Sequence, residues 1–261
     1  MLLSVAKKGL DMQHHYISLG SACNAATMMK VAGLRRASYP FDWLLNVEDG
    51  LSAVTKILRE DFANVSDPDG YVYTDYAPVG RSVPAYKMYP KTFHVHSDPA
   101  ADPKSHADMV RRFARMRETL RSNDVIHFVY YKDVSFCREV NPETDAATVL
   151  KLMVQEAKDF LNFIDETRSQ KTTMLLVLEG SVEDETATQK AVRDATSPDN
   201  RITFGHSLKR YDDDATLNKR WQRDWIDLIV NRTQMPLWMR ARCHTKQLVR
   251  RARETLRTAK G

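Results

Sequence analysis

The strongest constraint on the fold of this chain is an alternation of two hydrophobic periods. Short runs such as VIHFVYY (125–131) and TTMLLVLEG (172–180) are apolar along nearly their whole length. Runs of this kind suit strands buried on both faces. Longer segments with helical spacing separate them. In SHADMVRRFARMRETLRS (105–122), Met109, Phe113, Met116 and Leu120 share one face, and most of the arginines take the other. The same spacing predicts helices over 47–62, 147–168, 184–195 and 214–232. HYISLG (15–20) and RITFGHS (201–207) read as further strands. A helix over 21–34 follows the first strand directly, and Gly33 supplies its stop.

Strands alternating with helices predict an α/β fold. Its sheet would be mostly parallel, of about four to five strands, with helices on both faces in three layers. Residues 63–103, rich in Pro, Gly, Asp and Tyr, read as a long irregular excursion with one short strand at KTFHVH (91–96). Residues 1–231 read as a single α/β domain, and 232–261 as a basic C-terminal helix or tail.

The composition fits such a body. Over 261 residues, 43% are hydrophobic and 28% charged, which excludes a wholly disordered chain. Three cysteines, Cys23, Cys137 and Cys243, lie far apart with no CxxC pair. That argues against a disulfide framework or a structural zinc site and favours a reducing, cytoplasmic setting. No stretch approaches the roughly 18 apolar residues of a membrane span. The opening MLLSVAKKGLDMQHHY lacks the apolar run that a signal peptide places after its positive charge. No nucleotide-binding glycine loop occurs, and no cofactor is expected. The formal charge of +5 is uneven: residues 232–261 hold nine basic side chains against one acidic, or +8. Such a tail reads either as the solvated face of a terminal helix or as an arm for an anionic partner: nucleic acid, anionic lipid or an acidic protein.

In parallel sheets, sites form at the carboxyl ends of the strands. Here those ends are residues 20–23, 131–133, 179–181 and 205–207. Cys23 draws the most attention. At the start of a helix, free N–H groups and the helix dipole favour a thiolate. The same amides, of Ala22, Cys23 and Asn24, could cradle an oxyanion, with Gly20, Ser21 and Asn24 as binding residues of the turn. The alternative is a packed, inert thiol. A nucleophile needs a base. His94 and His96, two apart in FHVH, would face the same way on a strand, and His206 competes with them. No third ligand accompanies the histidine pair, so no metal is expected. Asp42, inside SYPFDW, either orients a histidine or caps a turn.

The segment SLGSACNAATMMKVAGLRRASYPFDWLL (18–45) resembles the opening signature of the putative papain-like cysteine peptidase family, a domain-of-unknown-function family. Its carriers are Ser18-Leu19-Gly20, Cys23, Gly33-Leu34-Arg35 and Pro40-Phe41-Asp42-Trp43. The histidine strand 93–96 and the arginine-bearing helix with Arg111, Arg112 and Arg115 continue the likeness more loosely. The resemblance implies Cys23 as nucleophile and His94 or His96 as its base, in hydrolysis or transfer at a peptide, ester or other acyl group. Two further readings use the same residues. Gly20-Ser21 also resembles the nucleophile turn of GDSL-type (SGNH) esterases, with LGS in place of GDS, which would make Ser21 the nucleophile. In a non-catalytic binding module or glycan-pathway accessory protein, Arg111, Arg112 and Arg115 would grip a phosphate or carboxylate.

Overall fold

The computed structural model describes residues 12–258 except 47, 77–79 and 170, with side chains described as far as residue 249. Most of the N-terminal stretch read for a signal peptide, and the last basic side chains of the tail, therefore lie outside the described residues. In chain order the elements are β1 (His14–Ser18), α1 (Asn24–Val31), α2 (Gly50–Arg59), β2 (Tyr71–Tyr76), β3 (Arg81–Tyr86), β4 (Tyr89–Phe93), α3 (Pro103–Arg121), β5 (Val125–Asp133), α4 (Val134–Val140), α5 (Ala146–Thr167), β6 (Thr172–Gly180), α6 (Glu185–Asp194), β7 (Ile202–Leu208), α7 (Ala215–Arg232) and α8 (Leu237–Thr258).

Four strands form one parallel sheet in the order β1-β5-β6-β7. Every residue of β5 and β6 is buried, as their unbroken apolar runs require. Alternate side chains serve opposite faces. Ile126, Phe128, Tyr130, Met174, Leu176 and Leu178 pack into the core cluster that holds the apolar faces of α2, α3 and α5. Val129, Tyr131, Leu175 and Val177 join Met28 and Met29 of α1, Trp221 and Trp225 of α7, and Met239 and Cys243 of α8. The result is the three-layer α/β architecture that the alternation predicts. Met109, Phe113, Met116 and Leu120 are the apolar residues that α3 buries.

The excursion is more regular than its composition suggests. Within 63–103, β2, β3 and β4 form a three-stranded antiparallel sheet. Pro84 and Pro90 fall inside two of these strands, and proline inside an apolar run normally argues against a strand. The strands are also half exposed, so no clear alternation marks them. This small sheet is tied to the body at Leu45 and Phe93, whose backbone groups exchange hydrogen bonds of 3.0 and 2.8 Å. The tie sets it beside the turn after β1. The short helix α4, unpredicted from its seven residues, starts where the Asp133 side chain caps the Ser135 amide at 2.7 Å.

Phe113 is fully buried, and its ring stacks on Phe62 at 4.5 Å between centroids. Phe113→Ala leaves a ring-sized cavity between α3 and the sheet. Urea unfolding should show a loss of about 3–5 kcal/mol.

Candidate functional site

The turn after β1 is built around a glycine. Gly20 has φ +91°, and a Cβ there would stand 2.3 Å from Asn46 Oδ1. Only glycine meets both the conformation and the close approach. Asn46 is wholly buried and pins the turn from the other side. Its backbone N–H donates to the Ser21 carbonyl at 3.2 Å, and its Nδ2 donates to the Gly50 carbonyl at 2.9 Å. Cys23 then stands at the N-cap of α1, and its carbonyl accepts the first helical bond from the Thr27 N–H at 2.9 Å. The thiol is half-buried at the amino end of that helix.

The next residue fixes the helix to the sheet. Asn24 Nδ2 donates to Glu179 Oε2 at 2.9 Å. The other oxygen, Oε1, accepts from Trp221 Nε1 at 2.8 Å and Trp225 Nε1 at 2.6 Å. Glu179 lies at the carboxyl end of β6 and is fully buried. Burial and the charge of Asp133 push its carboxyl up to about 8, while the three N–H donors pull the other way. Burial likewise pushes the Cys23 thiol up; the Arg210 guanidinium and the residue's own N–H pull it down, and Glu179 pushes it up again. Burial prevails, so the resting group is a thiol. The strand ends thus contribute Cys23, Asp133 and Glu179, with Lys209 and Arg210 following β7. Lys209 is held there by its N–H on the Gly180 carbonyl at 2.8 Å, and its charge lowers Asp133 against the upward push of burial. Sequence reasoning singled out all four strand ends, the last as 205–207, but missed Arg210 just beyond it. A signal was present for the carboxylate's partners: Trp221 and Trp225, four apart, stack on one face of α7.

The other expected residues take partners of their own. His94 is fully buried, with Tyr71 and Tyr86 rings edge-on at 5.4 and 4.9 Å. Burial and the Arg112 charge hold its pKa down to about 3, so it stays neutral. His96 is exposed and meets the Trp43 ring edge-on at 5.9 Å. Val95, between them, and Ala22, beside Cys23, pack against one cluster of Leu45, Val83, Ala85 and Phe93. That common packing brings the histidine segment and the cysteine turn to the same side of the molecule. Asp42 is buried, and its Oδ2 accepts from Arg35 Nε and Nη2 at 3.0 and 2.7 Å and from the Tyr39 N–H at 2.9 Å. Its hydrogen bonds therefore go to an arginine and a backbone amide rather than to a histidine. His206 is half-buried; burial lowers its pKa, and the nearest opposing charges are Asp224 and Glu185.

Of the five arginines of α3, the three singled out from the sequence take separate partners. Arg111 pairs with Asp108 at 2.6 Å on the exposed side. Arg112 is partly buried, facing the charge of Asp42. Arg115 donates to the Ser38 carbonyl. Ser21 is buried in the turn, its carbonyl taken by Asn46. Among the described residues, no group of three or more His, Cys, Asp or Glu side chains is arranged to hold a metal.

The raised carboxyl of Glu179 makes stability depend on pH. Between the ordinary value of 4.5 and about 8 the folded chain holds a proton that the unfolded chain has released. Its contribution to stability therefore falls as pH rises through that window and is level above it. In Glu179→Gln, Oε1 still accepts both indoles, and a rotated Asn24 amide can meet the new Nε2. Chemical denaturation from pH 5 to 9 should show the wild type losing up to about 1.4 kcal/mol per pH unit more than this variant.

The matched family segment runs from β1 to the end of β6, and so from the Cys23 turn to Glu179. Neither the curated proteins nor the solved structures contain a significant match to the chain. The family model covers residues 14–179, well over half of the 261, and the chain belongs to the family described as putative papain-like cysteine peptidase (DUF1796).

Proposed function

We propose that the protein is a thiol hydrolase or acyl transferase in which Cys23 is the nucleophile and His96 its base. The observation that carries this reading is the place of Cys23. It stands on the first turn of α1, at the carboxyl edge of a parallel sheet, inside the segment matched by the family. His96 is preferred to His94 because His94 is sealed behind two tyrosines and held neutral, far from collecting a proton at neutral pH.

The proposed reaction starts from the thiol. As Sγ attacks the acyl carbon, its proton passes to the His96 imidazole and the C–S bond forms. The carbonyl oxygen takes the negative charge, facing the Ala22, Cys23 and Asn24 amides at the start of α1. The bond to the leaving amine or alcohol then breaks, and His96 returns the proton to it. Water, or an acceptor nucleophile in the transferase case, gives its proton to His96 as it bonds to the acyl carbon; the C–S bond then breaks and His96 returns the proton to Sγ, restoring the thiol.

Asp42 acts one step further away than in a direct triad. It fixes Arg35, whose guanidinium lies 5.2 Å from the centre of the Trp43 ring. Trp43 in turn carries His96 on its edge. The aspartate thus orients the base through an arginine and a tryptophan. The chemistry requires a His96 nitrogen to come within about 4 Å of Sγ when substrate is bound.

A panel of fluorogenic peptide, ester and thioester substrates tests the reading. Cys23→Ala should abolish turnover, and His96→Ala should lower kcat/KM by about 10²–10⁴-fold. Turnover unchanged in Cys23→Ala would sink the nucleophile assignment. The resting thiol should alkylate with iodoacetamide at a midpoint above the ordinary value of about 8.5. Arg210→Ala, which removes the cation that lowers the thiol most, should move that midpoint higher still.

A further inference from the structure

Helix α8 has two unlike faces. Its inner face is accounted for: Met239 and Cys243 are buried against α1 and α7. Lys246 lies over Gly33, and Gln247 Nε2 donates to the Val31 carbonyl at 3.4 Å, so α8 caps the carboxyl end of α1. Its outer face carries large apolar side chains in solvent. Leu237 is 80% exposed, Trp238 57%, Leu248 65% and Val249 46%.

These four are not scattered. Leu237 and Leu248 are eleven residues apart, close to three helical turns, and so are Trp238 and Val249. The two lines run side by side along the helix, with the small or neutral Ala241 and Thr245 between them. Arg242 borders this stripe on one side; on the other His244 stands next to Leu248, with Arg240 behind it donating to the Met235 carbonyl at 3.1 Å. From residue 232 onward the chain holds nine basic residues against one acidic. An apolar stripe with Leu and Trp, edged by an arginine on a cationic helix, is the pattern of a helix lying in a bilayer interface. Trp238 sits where an indole is suited to the headgroup level. No described helix is long and apolar enough to cross a membrane, so the contact would be parallel to the surface.

We propose that the outer face of α8 docks on an anionic lipid surface, with Leu237, Trp238, Leu248 and Val249 entering the headgroup boundary and the basic residues neutralising lipid charge. Nucleic acid would satisfy the charge but offers no apolar phase for four large side chains. A bilayer of anionic lipid takes both. The inference stands on α8 alone and is independent of the chemistry at Cys23.

Co-sedimentation of the full chain with vesicles tests it. Phosphatidylcholine vesicles containing one-third phosphatidylglycerol should pull the protein down, and pure phosphatidylcholine should do so at least about tenfold less well. Moderate salt should weaken the anionic interaction. Leu237→Asp with Leu248→Asp changes two exposed positions, so the fold should survive, and partitioning should fall about tenfold or more. Tryptophan emission should shift to the blue on binding, and Trp238→Phe should remove that shift. No sedimentation with anionic vesicles at low salt would overturn the proposal. So would a double-aspartate variant that binds as well as wild type, or duplex DNA that displaces the protein from vesicles.

Discussion

A single buried carboxyl group joins the sheet of this protein to the helices on one of its faces. Glu179 ends β6 and receives N–H groups from Asn24 on α1 and from Trp221 and Trp225 on α7. A carboxylate in such a place is costly unless every lone pair finds a donor. Here the donors come from two helices on the same face, so the requirement to satisfy Glu179 also fixes where α1 begins. Cys23 is the residue before Asn24, and its position follows from that arrangement. The thiol owes its location to a carboxylate 156 residues away in the chain, at the end of a strand two places across the sheet.

The opposite face repeats the device with different groups. Glu156 of α5 accepts from the Tyr130 hydroxyl at 3.4 Å and pairs with the buried Lys132 at 3.8 Å. It also faces the Leu51 and Ser52 amides at the amino end of α2. Burial raises the Glu156 carboxyl and the Lys132 charge lowers it. Gly50, at φ +57°, leaves room for this carboxylate; a Cβ there would stand 2.4 Å from Glu156 Oε1. Each face of the sheet therefore anchors the start of a helix on a buried carboxylate near the carboxyl ends of the strands.

Cys23 and the histidine segment come from regions with different architecture. The thiol is held by the parallel sheet, whereas His96 follows the small antiparallel sheet, which is joined to the body at Leu45 and Phe93. The run 38–46 links the two. Asp42 and Trp43 reach toward Arg35 and His96, Leu45 bonds to Phe93, and Asn46 grips the Cys23 turn. One short stretch of chain thus supports both the Cys23 turn and the His96 segment, which accounts for an aspartate between Phe and Trp being buried rather than solvated.

Much of the fold was legible in the residues. The unbroken apolar runs of β5 and β6 and the spacing in α2, α3, α5 and α7 depend on local burial alone, and burial is what periodicity records. The glycine and the cysteine after β1 were legible too, because a strand that runs straight into a helix needs a tight turn between them. The antiparallel sheet was not, since Pro84 and Pro90 mask its strands and its stability comes from pairing between them. The partner of Asp42 was equally hidden. From sequence, a buried aspartate beside candidate histidines could orient one of them, but Arg35 is closer in space and carries a permanent charge. Sequence alone thus determined the strands and helices of the parallel α/β body and the tight glycine turn that leads from β1 into α1. Only the tertiary structure decided which side chains meet, because the partners of Glu179 come from distant segments, and those of Asp42, though only three and seven residues away, are selected by packing rather than by spacing.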